Sequence, residues 1–160
     1  MTEFFQILIY GYGNPGREDD GLGFALVKSL EEWTEKVGIS GIEFDSNYQL
    51  NIEDAEAISG KDIVVFADAS TEDIQDFLFT EVTGEKDVSF TTHAASPGYI
   101  VKLCKELFGK CPKVYLLHIK GYQWEFKEGL SEKAQNNLKK ALGFMQEYLL
   151  NLYHKNLGPT

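Results

Sequence analysis

The sequence predicts an α/β fold, a three-layer α/β/α sandwich with a mostly parallel sheet, one antiparallel strand, and helices on both faces. Three observations predict it. Short apolar β-prone runs alternate with segments of helical apolar period, which is the signature of strand–helix–strand units. Glycine, proline and capping residues punctuate the boundaries between them. The chain has 160 residues, and residues 1–160 are expected to form one domain that buries roughly 70% of its unfolded surface.

The elements follow in order. Phe5 to Tyr10 reads as a buried strand that stops at Gly11-Tyr12-Gly13-Asn14-Pro15-Gly16, a tight loop. From Gly21, apolar residues at Leu22, Ala25, Leu26, Leu30 and Trp33 keep helical spacing, with Asp19 and Asp20 where a helix N-terminus favours negative charge. Gly41 to Asp45 predicts a second strand, and Ile52 to Ile58 a short helix that Asn51 would cap. Asp62 to Ala67 is a strand whose apolar run ends at Asp68, and Phe77 to Val82 follows so closely that it is expected to pair antiparallel with it. Ser96-Pro97 opens a helix with Ile100, Leu103, Cys104 and Leu107 on its buried face. Lys113 to Ile119 is the next strand. Ser131 starts a long helix striped by Ala134, Leu138, Ala141, Leu142, Met145, Leu149 and Leu152.

Composition narrows the function. Apolar residues make up 43% of the chain and charged residues 25%, as in ordinary globular proteins. A net charge of −10 opposes a nucleic-acid partner, whose binding draws on clustered Lys and Arg. The segment Met1 to Tyr10 lacks a basic region and cleavage site, and no apolar run approaches the roughly 18 residues that crossing a bilayer requires. A cytoplasmic monomer is expected, with no membrane partner. Cys104 and Cys111 are too few for a disulfide framework and are expected to pack on a helix and in a loop.

Ligands of open α/β sheets gather beyond the carboxyl ends of the strands. Asp20, Asp68 and His93 all fall on loops there. Alone, each has a plain reading: helix-terminus charge for Asp20, turn residue for Asp68, hydrogen-bonded loop residue for His93. Together they form a mixed oxygen and nitrogen set suited to nickel, zinc or manganese. Three such ligands leave positions open for water or a substrate carbonyl, the layout of a catalytic site.

Gly11, Gly13 and Gly16 also satisfy the G-x-G-x-x-G pattern of dinucleotide-binding loops, with Asp45 placed to serve a ribose. Against this, Glu18, Asp19 and Asp20 put like charges where a pyrophosphate would sit, and Pro15 lacks a backbone donor. Ser96 is expected to cap a helix, so it is no obvious nucleophile, and His118 and His154 stand apart from any convergent set. Asn14 admits two roles, orienting a ligand or closing a turn.

The run Gly11-Tyr12-Gly13-Asn14, four residues, then Asp19-Asp20 and Gly21 resembles the opening pattern of the nickel-iron hydrogenase maturation endopeptidases. Phe66-Ala67-Asp68-Ala69 and Thr92-His93 with Ser96-Pro97 resemble that family's second and third ligand segments. The resemblance implies an α/β sandwich enzyme that removes a C-terminal extension from the hydrogenase large-subunit precursor after nickel insertion. By position, Asp20, Asp68 and His93 would bind that nickel, supplied by the precursor; another divalent metal is the alternative occupant. The best-known members carry Glu where Asp20 stands, so the shorter Asp implies a closer loop or a weaker contact. A metal- or precursor-binding module without catalysis, and a dinucleotide-binding enzyme, are the alternatives from other classes.

Overall fold

The computed structural model describes residues 5–85, 88 and 94–157. Among these, the strands are β1 (Ile7–Tyr12), β2 (Ile42–Asn47), β3 (Ile63–Ser70), β4 (Phe77–Glu81) and β5 (Lys113–Lys120), and the helices are α1 (Leu22–Val37), α2 (Asp54–Ser59), α3 (Pro97–Phe108) and α4 (Glu132–Leu152). The strands form one sheet in the order β2-β1-β3-β5-β4, parallel except for β4.

Strand alternation divides the core in two. On one face Ile7, Ile9, Val65, Ala67, Leu117 and Ile119 pack with the buried stripes of α1 and α4. On the other, Leu8, Tyr10, Val64, Phe66 and Val114 pack with Ala55 and Ile58 of α2 and with Ile100, Val101 and Cys104 of α3. The expected three-layer α/β/α sandwich is the fold observed. Ser96 and Ser131 cap α3 and α4 as anticipated, their hydroxyls accepting from the Tyr99 and Ala134 amides at 3.2 Å each.

Four local expectations are corrected. β4 pairs with β5 and lies at the sheet edge, because the fully buried Leu117 and Ile119 of β5 demand a central position that the half-exposed β4 does not. Asn51 does not cap α2; instead the Asp54 carboxylate accepts from the Asn51 amide at 2.8 Å and from the Tyr10 hydroxyl at 3.1 Å. Leu107 is 66% exposed, because the six-residue α2 is half as long as α3 and leaves its last turn uncovered. Finally, β1 and β3 run past their apolar stretches, to Tyr12 and Ser70. Asp68 therefore stands inside a strand, where β3–β5 pairing continues to Ser70 opposite Lys120.

Candidate functional site

β1 leads through α1 to β2 on one side and is flanked by β3 on the other, so the chain reverses its direction of travel across the sheet between β1 and β3. Crevices at such a switch point, outside the carboxyl ends of the strands, collect ligands in open α/β sheets. Tyr12 and the glycine loop close it from β1, and Asp68 from β3.

The glycines of the loop serve close packing. A Cβ on Gly11 would lie 2.2 Å from the Gly23 carbonyl oxygen, and one on Gly23 2.6 Å from that of Ala67 and 2.7 Å from that of Tyr12. The first turn of α1 thus rests directly on the backbones of β1 and β3. Gly13 has a φ of +133°, and a Cβ there would lie 2.2 Å from the Asp20 carbonyl oxygen. That contact brings the 3-10 turn Glu18–Gly21 against the end of β1.

The backbone donors of this loop are all engaged internally. The Gly13 amide donates to Asn47, Asn14 to Asp20 Oδ2, Gly16 to Asn14 Oδ1, and Arg17 to Asn14. Those of Glu18, Asp19 and Asp20 donate to Lys127, Gln123 and Arg17. A phosphate cradle needs such N–H groups turned outward, so this geometry speaks against the dinucleotide reading. Asn14 takes the turn role, its side-chain oxygen holding the Gly16 amide at 2.8 Å. Asp45 lies within β2, its carboxylate on the Ser46 amide.

Asp19 and Asp20, adjacent in sequence, do different work. Asp19 is fully buried and accepts four hydrogen bonds: from the amides of Tyr122, Gln123 and Ser131 at 2.7, 3.0 and 2.7 Å, and from the Ser131 hydroxyl at 2.7 Å. Burial alone would raise its pKa, but these donors outweigh it and hold the carboxyl below its ordinary value. With Arg17 Nε on the Trp124 carbonyl at 3.0 Å and its guanidinium 5.3 Å from the Phe126 ring centre, Asp19 ties the glycine loop to the segment before α4. Sequence reasoning missed this anchor because its partners lie more than a hundred residues away and carry no motif.

Asp20 points the other way. Its Oδ2 accepts from the Asn14 amide at 2.8 Å, and its negative charge reaches Asp68. Burial first, and that charge second, push the Asp68 carboxyl up to about 7. The Tyr12 hydroxyl lies beside Asp68, and the Tyr12 ring meets Phe66 edge-on with centroids 6.3 Å apart. Burial and the neighbouring Asp68 carboxylate raise the Tyr12 phenol well above its usual range. Tyr12 went unassigned in the sequence because it occupies the free position of the Gly-x-Gly motif; only its place on the same sheet face as Asp68 discloses the pairing.

The structure therefore brings Asp20 and Asp68 together, while His93 lies outside the described residues. Among those described, no three His, Cys, Asp or Glu side chains converge in a group able to hold a metal ion. A cation beside Asp68 would relieve the burial of its carboxylate and the repulsion from Asp20. Elsewhere, Cys104 is buried on α3 and Cys111 half-buried in the following loop, as expected; burial pushes the Cys111 thiol up to about 12, far from a reactive thiolate. His118, on β5, shares a 3.0 Å hydrogen bond with the Thr80 hydroxyl.

No family model and no curated protein matches the sequence. Solved structures do match by fold. The chain is similar to the hydrogenase maturating endopeptidase HybD from Escherichia coli, with a TM-score of 0.68 and 19% identity over 94% of this chain and 93% of that one. The [NiFe] hydrogenase maturation protease HycI from Thermococcus kodakarensis gives 0.69 and 20%, covering 89% and 91%. A hydrogenase 2 maturation peptidase from a Thaumarchaeota archaeon gives 0.65 and 20%, covering 90% and 97%.

Proposed function

We propose that this chain is an endopeptidase that removes the C-terminal extension of a nickel-iron hydrogenase large-subunit precursor once nickel is in place. It would act as a monomer in the cytoplasm. The observation that carries the reading is the coupled pair Asp20 and Asp68 at the β1–β3 switch point, in a fold shared with solved hydrogenase maturation proteases. The motif resemblance around Gly11 to Gly21 supports it independently. Among the described residues no helix is long and apolar enough to cross a membrane, which is consistent with a substrate met in water.

In this reading Asp20, Asp68 and His93 bind the nickel that arrives with the precursor, so the metal is part of the substrate. Bound nickel would supply Lewis acidity toward the scissile carbonyl. The chain's own contribution is orientation. The Asn14 amide holds one oxygen of Asp20 and leaves Oδ1 available. The Tyr12 hydroxyl, beside the Asp68 carboxylate, favours its charged form.

Incubation with nickel-loaded precursor followed by intact-mass analysis tests the proposal. Wild-type protein should release one C-terminal peptide, while Asp68→Ala and His93→Ala should leave the precursor full length without loss of fold. Nickel-free precursor should stay uncut. Unchanged processing by either variant would overturn the metal assignment, and precursor that binds yet stays whole would identify a binding module instead.

A further inference from the structure

The two helices on the Tyr10 face leave a groove between them. Both begin at the carboxyl-end rim of the sheet: α2 follows the loop after β2, and the Ala95 amide ahead of α3 donates to the Leu50 carbonyl in that same loop. The groove has a volume of about 480 Å³. Ile52, Tyr99, Leu103, Leu107 and Phe108 make its apolar lining, and Ile52 is 48% and Phe108 43% exposed alongside Leu107. Large apolar side chains grouped on a surface mark interaction sites more often than single exposed ones do.

Among the described residues its charged lining has one sign: Glu53 and Glu56 of the α2 segment are exposed at the groove, and no basic residue lines it. An occupant that covered these carboxylates without offering a cation would leave them desolvated and unpaired. A second copy of the chain would bring the same two acids and a further net charge of −10 to the contact. The lining therefore favours a segment that carries apolar side chains together with Lys or Arg.

We infer that the α2–α3 groove is a docking surface for an apolar, basic segment of the precursor polypeptide, outside the bond that is cut. The inference rests on the proposed function for the identity of the partner. The groove runs from Ile52 and Glu53, next to the carboxyl-end rim, to Leu107 and Phe108 in the last turn of α3, and the Tyr10 hydroxyl holds Asp54 of α2. A precursor anchored there is held before its scissile bond reaches Asp20 and Asp68, which raises its effective concentration at the site.

Steady-state processing of nickel-loaded precursor by Leu107→Glu and by the double variant Glu53→Lys/Glu56→Lys tests the inference. Both changes are at exposed positions, so thermal unfolding should match wild type. KM should rise at least tenfold in each, with kcat near the wild-type value. Direct binding of the precursor to the same proteins, read by interferometry, should weaken in parallel. KM and binding unchanged in both variants would overturn the docking surface while leaving the protease reading intact. Conversely, if wild-type protein leaves the precursor uncut but binds it, and Leu107→Glu abolishes that binding, the protease reading falls and the groove stands. Absence of any binding by wild type, or concentration-dependent self-association that Leu107→Glu removes, would overturn the groove as a precursor site.

Discussion

The Tyr12 hydroxyl lies beside the Asp68 carboxylate across the seam between the neighbouring strands β1 and β3, close enough for each group to shift the other's ionisation. Two adjacent parallel strands thus meet through their polar side chains at the point where their apolar runs end. Partners of this kind orient a metal-binding carboxylate, and their loss typically lowers metal affinity 10- to 100-fold.

Tyr12→Phe should keep the edge-on contact with Phe66 and remove only the hydroxyl beside Asp68. Nickel titration of the isolated protein should show affinity lower by roughly 10- to 100-fold, with the thermal midpoint little changed. Equal nickel affinity in the variant would show that Tyr12 plays no part in holding Asp68 for a metal.

Asp68 makes the metal-free fold sensitive to pH. Its folded-state pKa is raised from 3.8 to about 7, so between those values the folded protein holds more protons than the unfolded chain. The stability this provides is full below the ordinary carboxyl value and is lost as pH rises through 7. Asp68→Asn removes the dependence. Denaturant unfolding in the presence of chelator should therefore show the variant gaining on wild type from pH 5 to pH 8, by on the order of 2 to 3 kcal/mol. A constant difference across that range would show that Asp68 is not held in this way.

Much of this architecture was legible because local signals and tertiary packing agree. The capping serines Ser96 and Ser131 and the stripes of α1 and α4 declare themselves within one or two helical turns of sequence. Strand pairing did not. The chain between β3 and β4 is short, yet β5, more than thirty residues further on, takes the place beside β3, because its burial on both faces outweighs proximity in sequence. Motif and topology together place Asp20 and Asp68 near one another, as the structure has them. Tyr12 and Asp19 were not legible in this way, since each acts through a partner that no local pattern identifies.

Asp19 should prove more important to the fold than its position beside Asp20 suggests. Its carboxylate satisfies three amides and a hydroxyl from the segment between β5 and α4. Asp19→Asn presents donors where donors already point, and should destabilise the protein by about 2 to 4 kcal/mol. Because the native pKa is lowered, the stability that Asp19 supplies is present above the ordinary carboxyl value and lost as pH falls through the folded one. The deficit of the variant should thus be full at pH 7 and shrink toward pH 3; denaturant curves at the two pH values measure it.

Gly23 makes the sharpest demand on the backbone. Its Cα faces the strand ends so closely that a methyl group would meet the Ala67 carbonyl oxygen at 2.6 Å, the Tyr12 carbonyl oxygen at 2.7 Å and the Tyr12 amide nitrogen at 2.9 Å. None of these atoms belongs to a flexible side chain, so relief requires α1 to lift away from β1 and β3 as a unit. Gly23→Ala should cost about 3 kcal/mol or more, at the upper end of overpacking effects. The displacement would also carry Asp20 away from Asp68, since Asp20 stands two positions before the first residue of α1. Gly143→Ala, where nothing lies within 4 Å of the added carbon, is the control and should be neutral or slightly stabilising in α4. Thermal unfolding of the two variants side by side separates backbone crowding from simple helix propensity: equal midpoints would mean that α1 does not rest on the strands at Gly23.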